Sequence, residues 1–281
     1  MTTKIDETCM THATVASLNV YPIKSCRGIP LANARLVSTG LSGDREWLVV
    51  TEAGRFLTQR ELPRLALVEI AIGEQGLHLM APGMPQLIVP SQALGPGLQV
   101  TIWNDRCSAR DAGAEPAEWF SRFVGRLVRL VQFDSSVPRR SSLQWTRDVE
   151  AFVTFTDAFP ILVISRASLS DLNNRLDFPL PMNRFRPNVV LEGLQAYDED
   201  RIHELVDGDV RLRIVKPCIR CKITTTDQAT GEVSGVEPLK TLKSFRWSKE
   251  LQGVLFGQNA ILMEGVGGEM RVGQRLEVIW K

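Results

Sequence analysis

At 281 residues, 44% of them hydrophobic and 23% charged, the chain is long enough for two packed domains and has the composition of a soluble globular protein. A net charge of +1 gives no basis for a nucleic-acid or anionic-membrane partner, and no apolar run approaches the roughly 18 residues that span a bilayer. Residues 1–13 lack the apolar core of a signal peptide, and Cys9, Cys26, Cys107, Cys218 and Cys221 cannot all pair within one chain, so the expected compartment is the reducing cytoplasm.

From about residue 14 the sequence reads as a succession of short strands. Ala16, Leu18 and Val20 alternate ahead of Tyr21-Pro22-Ile23-Lys24-Ser25-Cys26. Residues 47–50 and 56–58 flank a Glu52-Ala53-Gly54 turn, a hairpin signal. Further strands are expected at 65–72, 77–80, 86–89 and 98–103. A helix is expected over 116–124, where Trp119, Phe120 and Phe123 share a face and Gly125 closes the last turn. A polar, proline-bearing stretch from Ser135 to Arg140 places a boundary near residues 130–140. An apolar strand at 161–164 leads to a second helix over 168–176, with Ser168 and Asp171 as an approximate capping box. The fold class expected is mixed α/β, strand-rich and barrel-like, with few helices.

The chemistry concentrates late in the chain. Val210, Leu212 and Ile214 alternate with polar residues as in a half-buried strand, and Pro217 is expected to end it, leaving Cys218-Ile219-Arg220-Cys221 on a loop. The β-branched run 223–226 suits a second strand before a turn at 227–231. A thiol beside Arg220 has surroundings that favour thiolate, which binds soft metals or attacks electrophiles. Other readings stay open at this point. A structural zinc site needs a second ligand pair, but His12, His78 and His203 are isolated. A redox pair normally opens a helix, and free cysteines are often simply buried. Lys24-Ser25-Cys26-Arg27-Gly28 reads either as a phosphate cradle or as a solvated basic turn. Arg45, Asp157 and Arg184-Phe185-Arg186-Pro187-Asn188 are ambiguous taken singly.

In combination they are not. Tyr21-Pro22-Ile23-Lys24-Ser25, Gly43-Asp44-Arg45, Asn183 to Asn188, Cys218 to Cys221, then Thr224-Thr225-Thr226-Asp227 and Gly231, stand in an order that resembles the MOSC superfamily. More narrowly, it resembles the mitochondrial amidoxime-reducing components and their bacterial relatives. Glu237 to Arg246 and Leu255-Phe256-Gly257-Gln258 match as well. The resemblance implies a MOSC N-terminal β-barrel region over 14–132 packed on a MOSC domain over 133–281.

It also implies a molybdenum cofactor ligated by Cys221, a soft donor suited to a metal that carries other sulfur ligands. By the same resemblance Lys24, Ser25, Arg45, Asp157, Arg186, Asn188 and Arg220 contact the pterin and its phosphate, while Cys218 is structural. Ala158 and Ile219 stand where relatives often carry a hydroxyl, which removes one or two such contacts. The implied activity is reduction of N-hydroxylated substrates such as amidoximes, hydroxylamines and N-hydroxylated bases. No C-x₄-C-x₂-C run for an iron–sulfur cluster is present, so the expected electron source is a separate ferredoxin, flavodoxin, cytochrome or reductase. The absence of the mitochondrial relatives' N-terminal anchor leads us to expect a soluble bacterial protein. The alternative is a cofactor carrier or sulfur-transfer module in which Cys221 holds its cargo transiently.

Overall fold

The computed structural model describes residues 11–93, 95–233 and 235–281; Cys9 and the rest of segment 1–10 lie outside the described residues. Strand alternation builds a closed barrel of seven strands. Around its wall run Ile161–Ser165, Val189–Glu192, His12–Val20, Arg275–Trp280, Ile202–Asp207, Val210–Ile219 and Gly253–Glu264. The last strand returns to the first through Ile161↔Ala260, Leu162↔Asn259 and Val163↔Gln258, so the wall presents no free edge there. Only the pairing of Ile161–Ser165 with Val189–Glu192 is parallel. Inward-facing Leu18, Leu191, Leu205, Leu212, Ile214 and Leu276 fill the barrel. Gly257 fits where the wall closes: its φ is +79°, and a Cβ there would lie 2.5 Å from Ile164.

A second, open sheet of four strands joins Trp47–Thr51, Val128–Phe133, Asp105–Asp111 and Gly97–Ile102 in that order. The helix Ala114–Val124 buries Trp119, Phe120 and Phe123 in a core shared with the small sheet Glu69–Gly73, Gly76–Met80 and Leu87–Pro90. Gly125 closes it in the left-handed conformation, as expected, although the helix begins two residues before Pro116. The first strand of the chain, His12–Val20, belongs to the barrel built mainly by the C-terminal half. Among the described residues no helix is long and apolar enough to cross a membrane.

Five local expectations need correction. A bulge between Val15 and Ser17 shifts the register, so Val15 rather than Ala16 enters the core. Residues 65–72 are not one strand, because a 3₁₀ turn, Pro63–Leu67, with proline at its start precedes Glu69–Gly73. The second helix is Arg166–Asn173, capped by Ser165, whose hydroxyl accepts from Ser168 N at 3.0 Å; Ser168 instead donates to the buried carboxylate of Glu199 at 2.8 Å. Pro217 does not end its strand, which runs on to Ile219 with register shifts on both sides of the proline, so Cys218 is a strand residue. Bulges tolerate a residue without an N–H donor. Finally, Lys222–Thr225 is a 3₁₀ turn rather than a strand. The hydroxyls of Thr224 and Thr225 donate to the carbonyls of Cys221 and Lys222 at 3.0 and 2.8 Å, local bonds that compete with a ladder.

Candidate functional site

Between the barrel and the open sheet lies a cleft of about 240 Å³, and every residue that the resemblance assigns to the cofactor lines it: Lys24, Ser25, Arg45, Asp157, Arg186, Asn188, Arg220 and Cys221. Seven non-glycine residues among those described have positive φ. Three of them, Ser25 (71°), Arg45 (49°) and Arg186 (56°), line the cleft, and a fourth, Trp103 (55°), donates to Asp157 at 3.1 Å. Backbone strain of this kind persists where surrounding structure over-determines it, and it gathers at functional sites.

The Tyr21–Ser25 segment organises one wall. The Tyr21 ring lies between two guanidinium groups, 4.5 Å from Arg45 and 4.1 Å from Arg186, and its hydroxyl donates to the Pro187 carbonyl at 3.0 Å. Burial, against the pull of both arginines, pushes the Tyr21 hydroxyl up to about 12. Arg45 donates to the buried carboxylate of Asp44, to Asn188 Oδ1 at 3.0 Å and to the Arg186 carbonyl at 3.2 Å. Asn188 Oδ1 also accepts from Leu162 N at 3.1 Å, which ties this arginine to the barrel strand. Lys24 Nζ donates to the Phe155 carbonyl and to Asp157, both at 2.7 Å. Burial lowers the Lys24 pKa even against this carboxylate. Burial would raise that of Asp157, but Lys24 and then Arg60 hold it well below the usual carboxylate range.

The opposite wall carries cations without carboxylates. Arg186 donates to the Cys26 carbonyl at 2.7 Å, and Arg220 to the Phe185 carbonyl at 2.6 Å. Burial lowers the Arg186 pKa to about 10. Arg186 Nη2 and Arg220 Nε are buried with no hydrogen-bond partner. The basic motifs also meet away from the cleft: Arg184 bonds the Thr225 carbonyl at 2.9 Å and Asp227 at 2.8 Å, which links the 183–188 segment to the turn after the cysteines.

The guanidinium that reaches the Cys221 sulfur is not that of Arg220. Arg220 Nη1 lies 3.0 Å from Cys218 Sγ, whereas Arg60 Nε donates to Cys221 Sγ at 3.4 Å. The exchange follows from where the strand stops: Cys218 lies within it and Arg220, just past its end, still reaches the Cys218 sulfur, whereas Cys221 caps the following 3₁₀ turn. Arg60 also stacks at 4.3 Å over Trp103 and approaches Asp157 at 3.9 Å. Neither residue was singled out from the sequence, because each lies alone in an unremarkable turn. In all, the lining holds six cationic side chains (Lys24, Arg45, Arg60, Arg186, Lys216 and Arg220) against one carboxylate, Asp157. With orphaned N–H donors and a thiol at one end, this set fits a polyanionic ligand with a soft metal attached.

Comparison with known proteins agrees with that order of motifs. Residues 12–127 match the MOSC N-terminal beta barrel domain and residues 151–277 the MOSC domain. The chain is 40% identical over 242 residues to the mitochondrial amidoxime reducing component 2 of Bos taurus, an alignment covering 83% of this chain and 72% of that protein. It is 39% identical over 257 residues to component 1 of Mus musculus, covering 87% and 75% respectively. With component 1 of Homo sapiens the identity is 36% over 260 residues, covering 88% and 76%. The chain therefore belongs to the MOSC-domain family of the amidoxime-reducing components.

Proposed function

We propose that this chain is a molybdenum-cofactor-dependent oxidoreductase that reduces N-hydroxylated compounds, with electrons from a separate redox protein, and that it acts in the cytoplasm. The observation that carries the reading is the cationic cleft ending at Cys221, in a chain whose relatives are named for amidoxime reduction. We assign Cys221 as the metal ligand, and Lys24, Ser25, Arg45, Asp157, Arg186, Asn188 and Arg220 as the residues that hold the pterin and its phosphate. The domain division at 132/133 is part of the same proposal.

When bound, the cofactor supplies the two-electron chemistry that cleaves an N–O bond. The chain does the rest. The orphaned Arg186 and Arg220 donors meet the anionic group, and desolvation strengthens each such contact. Asp44 and Asn188 fix the Arg45 fork, so its donors are oriented before anything binds. Asp157 keeps Lys24 and Trp103 in place, and the Trp103 ring holds the Arg60 guanidinium that meets the Cys221 sulfur.

The test is molybdenum per chain together with turnover of a simple amidoxime, in protein made by a host that synthesises the cofactor. Near-stoichiometric metal and turnover are expected for the wild type, and loss of both with an unchanged fold for Cys221→Ala. Undiminished metal and rate in the variant would sink the assignment of Cys221. Stoichiometric metal without turnover would favour the carrier role.

A further inference from the structure

Beside the cleft, and sharing Arg60, Ile219 and Arg220 with it, runs an open groove of about 750 Å³. Its apolar part is made by Ile219, Val233, Val236 and Trp247, whose exposure ranges from 42% to 62%. Single exposed hydrophobics need no explanation, but four lining one groove mark a place where something docks. The charge around them is one-sided. Lys222, Lys240 and Lys243 join Arg60 and Arg220 in the lining, and no aspartate or glutamate does. For a chain of net charge +1 this is a strong local asymmetry. Lys240 and Lys243 stand three apart on the helix Leu239–Arg246 and so share a face, and Lys243 lies 5.4 Å from the Trp247 ring. Among the described residues none of the three lysines forms an ion pair.

We infer that this groove is the docking face for the electron donor, an acidic redox protein that seats an apolar contact on Trp247 and Val236 inside a ring of its own carboxylates. The inference rests on the reductase reading. Conversion of R–NHOH to R–NH2 and water breaks one N–O bond and consumes two electrons and two protons. The protons come from water. The electrons come from the docked protein, singly in two encounters or as a pair. Among the described residues no group of three or more histidine, cysteine, aspartate and glutamate side chains could hold a metal ion, so a short path from a docked donor to the Cys221 end of the cleft is the arrangement required. The groove meets the requirement of proximity, because Arg60 lines it and touches the Cys221 sulfur at 3.4 Å. An apolar centre with an exposed lysine rim also suits a partner that must leave after each delivery: the charges steer encounter and orientation, and the small apolar area keeps the complex short-lived.

The test uses the full chain loaded with its cofactor. Amidoxime turnover is driven in one arm by reduced benzyl viologen, which needs no docking face. In the other it is driven by reduced plant-type ferredoxin, flavodoxin or cytochrome b5, all acidic. Lys240→Glu/Lys243→Glu should lower the protein-driven kcat/KM for the donor by about ten- to a hundredfold at low salt and flatten its salt dependence. The viologen-driven rate and the KM for amidoxime should not change. Arg271→Glu/Arg275→Glu, an equal change of charge on residues outside this groove, should leave both arms unchanged. Three outcomes overturn the inference: none of the three proteins drives turnover, they drive the reversed variant as well as the wild type, or the variant raises the KM for amidoxime. Absence of viologen-driven turnover in the wild type instead overturns the reductase reading, and this inference with it.

Discussion

The two walls of the cleft hold cations in opposite ways. On the wall built from residues 21–45 each positive group has a carboxylate: Lys24 bonds Asp157 and Arg45 bonds Asp44. On the wall built from residues 185–221, Arg186 and Arg220 bond only carbonyls, a sulfur and aromatic faces, and each keeps a buried N–H without a partner. A cation paired with a carboxylate attracts an anion less strongly, because part of its charge is already met. A buried cation with unused donors is costly alone and becomes favourable when an anion arrives. The first wall therefore presents donors that its carboxylates have already oriented, and the second holds the larger unused capacity for an anion.

That division predicts unequal losses. Asp44 is 1% exposed, accepts the Tyr21 N–H at 2.9 Å and faces Arg45. Asp44→Ala strands a buried guanidinium and an amide, so urea unfolding should show a loss of about 3–5 kcal/mol. Arg186→Met should cost much less, within about 1 kcal/mol, because the charge removed was uncompensated and the stem is similar in size. The same variant should lose most of its molybdenum after size-exclusion chromatography, by elemental analysis. If Arg186→Met unfolds as readily as Asp44→Ala, or keeps its metal, the contrast between the walls fails.

Much of this arrangement is legible in the sequence. The strand-rich class and the helix ending at Gly125 follow from short-range patterns, whereas the grouping of Lys24, Arg45, Arg186 and Cys221 into one site comes only from the family resemblance that the order of motifs carries. What is not legible is long-range or depends on one residue. His12–Val20 pairs with Val189–Glu192 and Arg275–Trp280, and no local signal in either partner announces it. A proline reads as a stop, yet bulges on either side let Pro217 stay in its strand, and that places Arg220 beside Cys218. Threonines read as strand formers, yet Thr224 and Thr225 turn their hydroxyls back on the chain. Arg60 reaches Cys221 across 161 residues of sequence, a contact that a single turn residue does not advertise.

The smallest expected effect concerns what lies beneath the second wall. Cys26 is fully buried under Arg186, and burial pushes its thiol up to about 12; Tyr21, between the arginines, is also raised by burial to about 12. In an unfolded chain a thiol ionises near 8.5 and a phenol near 10. Both folded values are raised, so the stability they contribute is complete below those values and is lost as pH rises toward 12. Arg186 acts in the opposite sense: with its folded pKa lowered by burial to about 10, the folded chain sheds that proton first and offsets the loss above this pH. Lys24, whose pKa burial also lowers, acts in the same sense as Arg186. The thiol contribution is therefore read as the difference between wild type and Cys26→Ala over about pH 8.5–10, where each buried thiol lowers stability by at most about 1.4 kcal/mol per pH unit. Cys107, also raised by burial, adds to the same slope. Urea denaturation across this window under reducing conditions should show a fall that Cys26→Ala reduces but does not abolish. An unchanged slope in the variant would mean that water reaches Cys26 in the folded chain. Arg186 above it would then be solvated, and the second wall would lose the low dielectric on which its capacity for an anion depends.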